Sequence, residues 1–394
     1  NQKCLLIFIA LFILASFTPP ASGQTKSGSY PEPKAKAAVL MDAASGRVLY
    51  AKNSHDHLPP ASLTKIMTGL LVAENGKLDQ KVSISKHAAQ TPEATIYLQA
   101  GEVLTRRQLL YACMLHSAND AAAALAESVS GSQNKFVNLM NHRAHQLGMK
   151  DTHYRNPHGL NAYRHYTSAY DLSLVSRQAL ANPTLRKVVA TKSTTIPWSG
   201  HSNDRLIINH NRLLNRYPGA IGVKTGYTKE AGNCVVGAAQ RGNLVLIAVA
   251  MNSPQVYQDL MQILDYGFAH YQLIKIKEAG QVAATVKVLH GETSTVTAQL
   301  SSDLAVALKP GEKPQVTYKL FPEKKVSAPV KTGQILGNCK TYINGEEIGQ
   351  SNLVAAEAVA KASSHPRKSS IIPWITGLIF TILLFLLFLK VKSK

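Results

Sequence analysis

The chain has 394 residues, of which 45% are hydrophobic and 17% charged, so it can bury a large core and is not a disordered protein. It carries 43 Lys and Arg residues against 23 Asp and Glu residues, a net charge of +20, which favours an anionic partner. No interleaving of basic and aromatic residues and no zinc-finger spacing occurs, so we do not expect a nucleic acid partner.

The first 23 residues predict a cleaved secretory signal peptide. Cys4–Phe17 is almost entirely apolar and follows Lys3, and two prolines and a run of small residues ending at Gly23 come next. This order of a basic, an apolar and a small-residue region is typical of a signal peptide. An N-terminal membrane anchor is the alternative, but the apolar run is short for a span. Residues 24–36 then form a Ser-, Pro- and Lys-rich lead-in.

The N-terminal half of the body predicts a β-hairpin followed by three helices. The hairpin consists of Ala37–Met41 and Arg47–Tyr50, joined by a turn. After two prolines, apolar residues recur at helical spacing from Leu63 to Leu71. The two further helices are Arg106–Leu115, begun by a capping box of Thr105 with Gln108, and Asp120 to about Ser128.

The C-terminal half predicts further helices and strands in the same domain. Ala169–Ala181 is expected to be helical, and a helix begins at Pro254 and continues through Leu264. Strands are expected at Val223–Tyr227, Cys234–Gln240 and Leu244–Met251. Residues 37–273 therefore predict an α+β domain in which helices flank an antiparallel sheet, with strands from both ends of the domain.

The remaining residues predict a small β domain and a membrane tether. Residues 274–352 contain short β-branched runs such as Ala284–Val288, Thr295–Leu300 and Val316–Leu320, which indicate an all-β domain. A stalk follows at 353–370. Ile371–Leu389 would form a helix of about 28 Å, long enough to span the bilayer core, and the basic tail 390–394 would stay cytoplasmic. An amphipathic helix in the membrane plane is disfavoured because this segment has no polar face.

Four cysteines are present, and Cys4 would leave with the signal peptide. The other three, Cys113, Cys234 and Cys339, can form at most one disulfide, and their spacing does not select a pair. They lack the neighbours of a metal site, so we expect buried thiols.

Ser62 and Lys65 are the first candidates for chemistry. They stand three residues apart, so on a helix one lies above the other. A serine hydroxyl needs a base to become a good nucleophile, and a lysine can be that base when burial and neighbouring cations lower its pKa. Alone, this spacing is common. A helix cap and a solvated lysine would explain it equally well.

Two further motifs follow in the chain and make the combination specific. Ser117-Ala118-Asn119 breaks a helical pattern with polar residues, which is also compatible with a helix cap. Lys224-Thr225-Gly226 lies on a predicted strand, where the glycine lets a substrate backbone approach.

With these motifs in this order, the sequence resembles the penicillin-recognising serine D,D-peptidases, and within them the D-alanyl-D-alanine carboxypeptidases among the low-molecular-mass penicillin-binding proteins. The resemblance covers about residues 35–270, and 274–352 resembles the family's C-terminal domain. The segments that carry it are Pro60–Met67 (PASLTKIM), Ser117–Ala121 (SANDA), Asn156–Leu160 (NPHGL), Asn211–Leu214 (NRLL) and Gly222–Gly232 (GVKTGYTKEAG).

The resemblance implies a serine β-lactamase/D,D-peptidase-like catalytic domain without a cofactor or metal. It implies that Ser62 is acylated, that Lys65 is its general base, and that Ser117 relays a proton to the leaving amine.

The same resemblance also implies how the substrate is held. Asn119 would bind the substrate's peptide amide, Lys224 would supply positive potential, and Thr225 would hold the terminal carboxylate. The backbone N–H groups of Ser62 and Tyr227, the residue after Gly226, would form the oxyanion hole.

The implied substrates are peptidoglycan stem peptides ending in D-Ala-D-Ala, with β-lactam antibiotics as covalent ligands. The implied location is the bacterial cell membrane with the catalytic domain outside the cytoplasm, and the process is cell-wall maturation.

Two alternatives share parts of this pattern. A serine β-lactamase would add a carboxylate that activates water, and no Glu-x-x-Leu-Asn-like string occurs between Asn119 and Lys224. A non-catalytic wall-binding protein would be favoured by loss of Ser62, Lys65 or Lys224, and all three are present.

Two other patterns are interpreted as structural. A second Lys331-Thr332-Gly333 is expected to be a turn in the β domain. His153, His158 and His165 lack zinc-ligand spacing and are expected to be loop and core residues.

Overall fold

The computed structural model describes residues 30–362. The predicted signal peptide, transmembrane helix and basic tail lie outside these residues, as do parts of the lead-in and the stalk. Within residues 30–362, no helix is both long enough and apolar enough to cross a membrane.

The described chain divides into two compact units. The first contains residues 30–279, 302–319 and 340–351, and the second contains 280–301, 320–339 and 352–362. The domain boundaries expected from the sequence stay predictions.

A five-stranded antiparallel sheet forms the centre of the first unit, with the strand order β2-β1-β9-β8-β7. Its strands are β1 (Ala37–Asp42), β2 (Val48–Lys52), β7 (Ala220–Thr228), β8 (Gly232–Arg241) and β9 (Leu244–Met251). The predicted hairpin and the three predicted strands are confirmed. The N-terminal strand β1 pairs with β9 at residues such as Val39 and Val249, so both ends of the unit meet in one sheet.

Nine helices occur among residues 30–362, and a 3-10 turn, Ala61–Thr64, precedes the first of them. They are α1 (Lys65–Asn75), α2 (Lys86–Ala89), α3 (Arg106–Tyr111), α4 (Asn119–Ser130), α5 (Gln133–Gln146), α6 (Ala169–Ala181), α7 (Pro183–Ala190), α8 (Leu213–Arg216) and α9 (Val256–His270). The capping box of Thr105 with Gln108 starts α3 as predicted, and α6 has the predicted bounds.

The helices cover both faces of the sheet because successive strand residues point to opposite sides. Val39 and Met41 of β1 face a core that includes α1, α4 and α6. Leu40, between them, faces a second core with α9. The first unit is therefore a helix–sheet–helix arrangement, in agreement with the predicted architecture.

Two predicted helices differ from those observed. The helix predicted as Arg106–Leu115 changes at Ala112 into a π-helical turn that ends at His116. The helix predicted to end at Leu264 continues to His270. This helix includes Gly267, which packs so close to Leu40 that a Cβ on residue 267 would collide with the Leu40 side chain. This close packing against the sheet outweighs the low helix propensity of glycine.

Smaller strands complete the first unit. β3 pairs with β4, β5 pairs with β6, and β10 pairs with β13, all antiparallel. Their bounds are β3 (Lys81–Ser83), β4 (Val103–Thr105), β5 (Ser193–Ile196), β6 (Arg205–Ile208), β10 (Gln272–Lys277) and β13 (Leu304–Leu308).

The second unit is built from β-strands, as predicted for this part of the chain. β11 (Val282–Leu289) pairs antiparallel with β12 (Thr295–Leu300) and parallel with β15 (Lys325–Ser327). Leu353–Ala355, the end of β17, adds to β12. The second Lys-Thr-Gly triplet is a turn, in which Gln334 N–H donates to the carbonyl of Lys331. The remaining strands, whose residues are divided between the two units, are β14 (Val316–Pro322), β16 (Ile335–Ile343) and β17 (Glu346–Ala355).

Candidate active site

Ser62 and Lys65 lie where the 3-10 turn passes into α1. Ser62 is in the turn, and Lys65 is the first residue of the helix. The fully buried side chains of Leu63 and Ile66 hold this segment in the core. Because Ser62 and Lys65 are three residues apart, their side chains meet, and the Lys65 Nζ lies 3.0 Å from the Ser62 Oγ.

The Lys65 amine is fully buried among oxygen atoms. Its Nζ lies 2.7 Å from the Oδ1 of Asn119 and 2.7 Å from the carbonyl oxygen of His158, in addition to the Ser62 Oγ. Burial lowers the pKa of Lys65 to about 8. A neutral amine has two N–H groups and one lone pair. In the protonated form Lys65 donates to all three oxygens. In the neutral form the amide and carbonyl oxygens can accept its two hydrogens, which leaves the lone pair available to the Ser62 hydroxyl.

Ser117 and Asn119 occupy the break between the π-helical turn and α4. Ser117 has a left-handed backbone, with φ 68° and ψ 24°, which a non-glycine residue adopts only at an energetic cost. The Nδ2 of Asn119 donates to the carbonyl of Pro92 at 2.8 Å, and its backbone N–H donates to the carbonyl of Ala94 at 2.6 Å. These two bonds orient the Asn119 Oδ1 toward Lys65.

Lys224 and Thr225 lie on β7, which is an edge strand of the central sheet. Lys224 is buried, and its Nζ donates to the carbonyl of Thr225 at 3.0 Å. Burial, and then repulsion from Lys65, lower the pKa of Lys224 to about 7. The site therefore contains two buried amines that influence each other's protonation.

Gly226 and Tyr227 complete the predicted site along the same strand. A Cβ on Gly226 would stand 3.0 Å from the backbone nitrogen of Ser62, so a glycine here lets β7 lie close to the turn that carries the serine. The Tyr227 side chain is exposed. The backbones of Ser62 and β7 are thus neighbours, as an oxyanion hole shared between them would require.

The segment 156–160 supports the serine turn from a different part of the chain. The Thr68 hydroxyl of α1 donates to the carbonyl of Pro157 at 2.6 Å. The Gly159 N–H donates to the side-chain oxygen of Asn156 at 2.7 Å. Gly159 has φ +94°, and a Cβ there would overlap the carbonyl group of Ala61. The resemblance in the sequence marked this segment, but only the structure shows its contact with the serine turn.

The histidines expected to be loop and core residues are found there. His158 and His165 are buried, and burial lowers their pKa values to about 3 and about 4. The His165 Nε2 lies 2.9 Å from the hydroxyl of Thr64, and its Nδ1 accepts from the N–H of Arg155. His153 lies in the loop after α5.

The three cysteines of the described body are free and buried. Cys113 lies below the site, four residues before Ser117. Burial raises its pKa to about 11, although the charges of Lys65 and Lys224 oppose this shift. The thiol is therefore neutral beside the two lysines.

Residues 91–101 form a loop beside the site that the sequence did not single out. The carboxylate of Asp120 accepts hydrogen bonds from the N–H groups of Ile96 and Leu98, at 3.1 Å in each case. Asp120 is fully buried next to Asn119. One sequence feature could have pointed to this loop. Asp120 directly follows the Ser-Ala-Asn motif, and a buried carboxylate needs hydrogen-bond donors from another segment.

Comparison with known proteins shows which family this sequence matches. Residues 24–255 match the family described as D-alanyl-D-alanine carboxypeptidase. The chain belongs to this family. Its three motifs all lie within the matched residues, and residues 271–361 match the C-terminal domain of penicillin-binding protein 5.

Individual members of the carboxypeptidase family agree over most of the chain. The D-alanyl-D-alanine carboxypeptidase DacF of Bacillus subtilis (strain 168) is 36% identical over 92% of this chain and 95% of its own length. The crystal structure of penicillin binding protein 5 from Haemophilus influenzae has a TM-score of 0.63 at 30% identity, covering 84% of this chain and 99% of that one. The carboxypeptidase DacD from Francisella tularensis has a TM-score of 0.61 at 26% identity, covering 85% and 95%.

Proposed function

We propose that this protein is a serine-type D-alanyl-D-alanine carboxypeptidase that removes the terminal D-alanine from peptidoglycan stem pentapeptides through an acyl-enzyme on Ser62. The observation that carries this proposal is the buried Lys65 amine. Its Nζ lies within hydrogen-bond distance of the Ser62 Oγ and of two further acceptors, the Asn119 Oδ1 and the carbonyl of His158. When Lys65 is neutral, these two acceptors can take its hydrogens and leave its lone pair for the Ser62 proton.

Acylation begins when the Ser62 Oγ attacks the carbonyl carbon of the penultimate D-alanine and Lys65 takes the hydroxyl proton. The negative oxygen of the tetrahedral intermediate accepts hydrogen bonds from the backbone N–H groups of Ser62 and Tyr227. The carbon–nitrogen bond then breaks. Ser117 relays the proton to the leaving nitrogen, and free D-alanine departs. Water hydrolyses the resulting ester and restores the serine.

Substrate binding adjusts the two lysines in opposite directions. The terminal carboxylate binds Thr225 and lies near Lys224, and an adjacent negative charge favours the protonated lysine. The positive charge on Lys224 in turn disfavours a second positive charge on Lys65. The bound carboxylate therefore promotes the neutral Lys65 that acylation requires. Asn119 keeps one Nδ2 hydrogen for the peptide amide group, since Pro92 accepts the other.

Penicillin provides the direct test of the nucleophile because its lactam carbonyl can acylate the same serine. Mass spectrometry of the purified protein should show one penicilloyl adduct on the peptide containing Ser62, and release of D-alanine from a pentapeptide ending in D-Ala-D-Ala. Ser62→Ala should abolish both. Ser202→Ala, at an exposed loop serine, serves as the matched control. Equal labelling of wild type and Ser62→Ala would disprove this assignment.

We also propose that Ile371–Leu389 anchors the protein in the bacterial cell membrane, with the catalytic unit outside the cytoplasm. The apolar length of this segment and the basic tail at 390–394 support a single span. High salt should leave the full-length protein in the membrane pellet, and detergent should extract it. Extraction by salt alone would show that surface charge rather than a spanning segment holds the protein.

A further inference from the structure

The loop 91–101 contains two strained residues beside the candidate active site. Glu93 has φ 69° and Tyr97 has φ 58°. Left-handed backbone costs a non-glycine residue about 1–2 kcal/mol, and such strain persists only where surrounding contacts enforce it.

The contacts that enforce this conformation come from the Ser-Ala-Asn motif. Pro92 and Ala94 present their carbonyl groups to Asn119, one to its side chain and one to its backbone. Glu93 is the residue between these two carbonyls. Asp120 binds the backbone on both sides of Tyr97. Asn119 and Asp120, the first two residues of α4, thus hold the loop in place. The position of Glu93 therefore depends on that of Asn119.

The Glu93 carboxylate has no structural role among the described residues. Its side chain is exposed, and no hydrogen bond or ion pair joins it to another residue between 30 and 362. Its charge nevertheless acts on Lys65 and raises the pKa of that lysine against the larger effect of burial. Glu93 is therefore an unpaired negative charge within electrostatic reach of the reacting serine–lysine pair.

The proposed function places the substrate next to this charge. Under the function proposed above, Asn119 binds the peptide amide on the acyl side of the scissile bond. A peptide held by Asn119 would then pass next to residues 92–94, because the carbonyls of Pro92 and Ala94 both bind Asn119. An exposed carboxylate in this position attracts a cation, and on a peptide the cation that fits is the primary amine of a side chain.

We propose that Glu93 binds the protonated side-chain amine of a stem-peptide residue on the acyl side of the D-Ala-D-Ala unit. Glu93 is then a specificity residue rather than a catalytic one. This inference rests on the proposed carboxypeptidase function. It adds a preference for cationic over neutral stem peptides.

Two peptides that differ in one charge test the proposal in the full-length protein. Nα-acetyl-L-Lys-D-Ala-D-Ala keeps the side-chain amine, and the Nα,Nε-diacetyl peptide lacks it. The wild type should hydrolyse the amine peptide with the higher kcat/KM, by about two- to fivefold, as for a solvent-accessible ion pair. Most of this difference should lie in KM. The preference should decrease as salt is added.

Variants of Glu93 separate its charge from its shape. Glu93→Gln keeps the size of the side chain and should bring the ratio between the two peptides close to one, and Glu93→Lys should favour the diacetyl peptide. Glu292→Gln removes an exposed carboxylate from the second unit and should leave the ratio at the wild-type value.

Three results would overturn the inference: no preference in the wild type, a preference that survives Glu93→Gln, or an equal loss of kcat on both peptides. The last would instead indicate a role in the chemical step. Penicillin labelling of Ser62, measured in the same preparations, keeps these results separate from a failure of the proposed function. A labelled enzyme without an amine preference refutes only the role of Glu93.

Discussion

Replacing Gly159 by alanine should displace the turn that carries Ser62, although Gly159 itself takes no part in the chemistry. Two costs follow from the structure. Its φ of +94° is unfavourable for any residue with a Cβ, which costs about 1–2 kcal/mol. The new methyl group would also overlap the backbone carbonyl of Ala61, and forcing extra atoms into a packed site costs about 1–3 kcal/mol. We expect Gly159→Ala to lower the free energy of unfolding by about 2–5 kcal/mol.

Gly148→Ala is the matched control for this substitution. Gly148 has φ +75°, and a Cβ there would meet no atom within 4 Å. It should therefore carry only the backbone cost of about 1–2 kcal/mol. Urea denaturation measures both variants, and the rate of penicillin acylation reports on the Ser62 turn.

Gly159→Ala should be the less stable variant and should acylate at least about tenfold more slowly, because small misplacements of a nucleophile are costly. Gly148→Ala should acylate at the wild-type rate. If both variants are equally stable and equally reactive, segment 156–160 does not position the serine turn, and the reasoning from the Ala61 contact is wrong.

Two further predictions concern the lysines. Lys65→Arg should nearly abolish acylation, because a guanidinium stays protonated near neutral pH. Lys224→Arg keeps the positive charge and should retain more activity. Labelled penicillin measures both variants, and similar losses of acylation would contradict the separate roles of the two lysines. In the wild type, the acylation rate should rise with pH between about 6 and 9, because burial places the pKa of Lys65 at about 8 and only its neutral form accepts the Ser62 proton. A rate that stays flat over this range would show that Lys65 is not the base.

Much of the fold could be predicted because its signals are local. The apolar spacing of Ala169–Ala181 gives the observed helix, since Leu172, Val175 and Ala179 fall on the buried face. The capping box at Thr105 depends on residues three apart in sequence. The strands of the central sheet are apolar runs, which a buried sheet requires on both faces.

Other elements were not assigned because their sequences are weakly patterned. Helix α5 buries only Phe136, Met140 and Ala144 in a mostly polar segment, so its apolar stripe is narrow. The π-helical turn before Ser117 follows an ordinary helical pattern. Its departure from that pattern is visible only in the structure.

The candidate site was recognisable as a set of motifs, but its electrostatics were not. Sequence spacing predicts that Ser62 and Lys65 meet. It does not show that the buried Lys65 amine also donates to Asn119 and to the carbonyl of His158, which lie in two other segments of the chain. The position of the unpaired Glu93 charge could not be predicted either, because it depends on bonds from Asn119 to the carbonyls of Pro92 and Ala94, which lie 27 and 25 residues earlier in the chain.

Burying two lysines whose charges repel each other opposes folding at neutral pH, and the proposed chemistry explains why the fold retains them. In the unfolded chain Lys65 has its ordinary pKa of 10.5, whereas in the folded protein burial lowers the value to about 8, a difference equivalent to about 3 kcal/mol. Between these values the unfolded chain binds more protons, so this contribution to stability increases as the pH rises. At pH 7 the folded protein is therefore less stable than it would be with an apolar residue at position 65. The apolar cores on the two faces of the central sheet offset that cost, and the result is an amine whose proton can leave under physiological conditions.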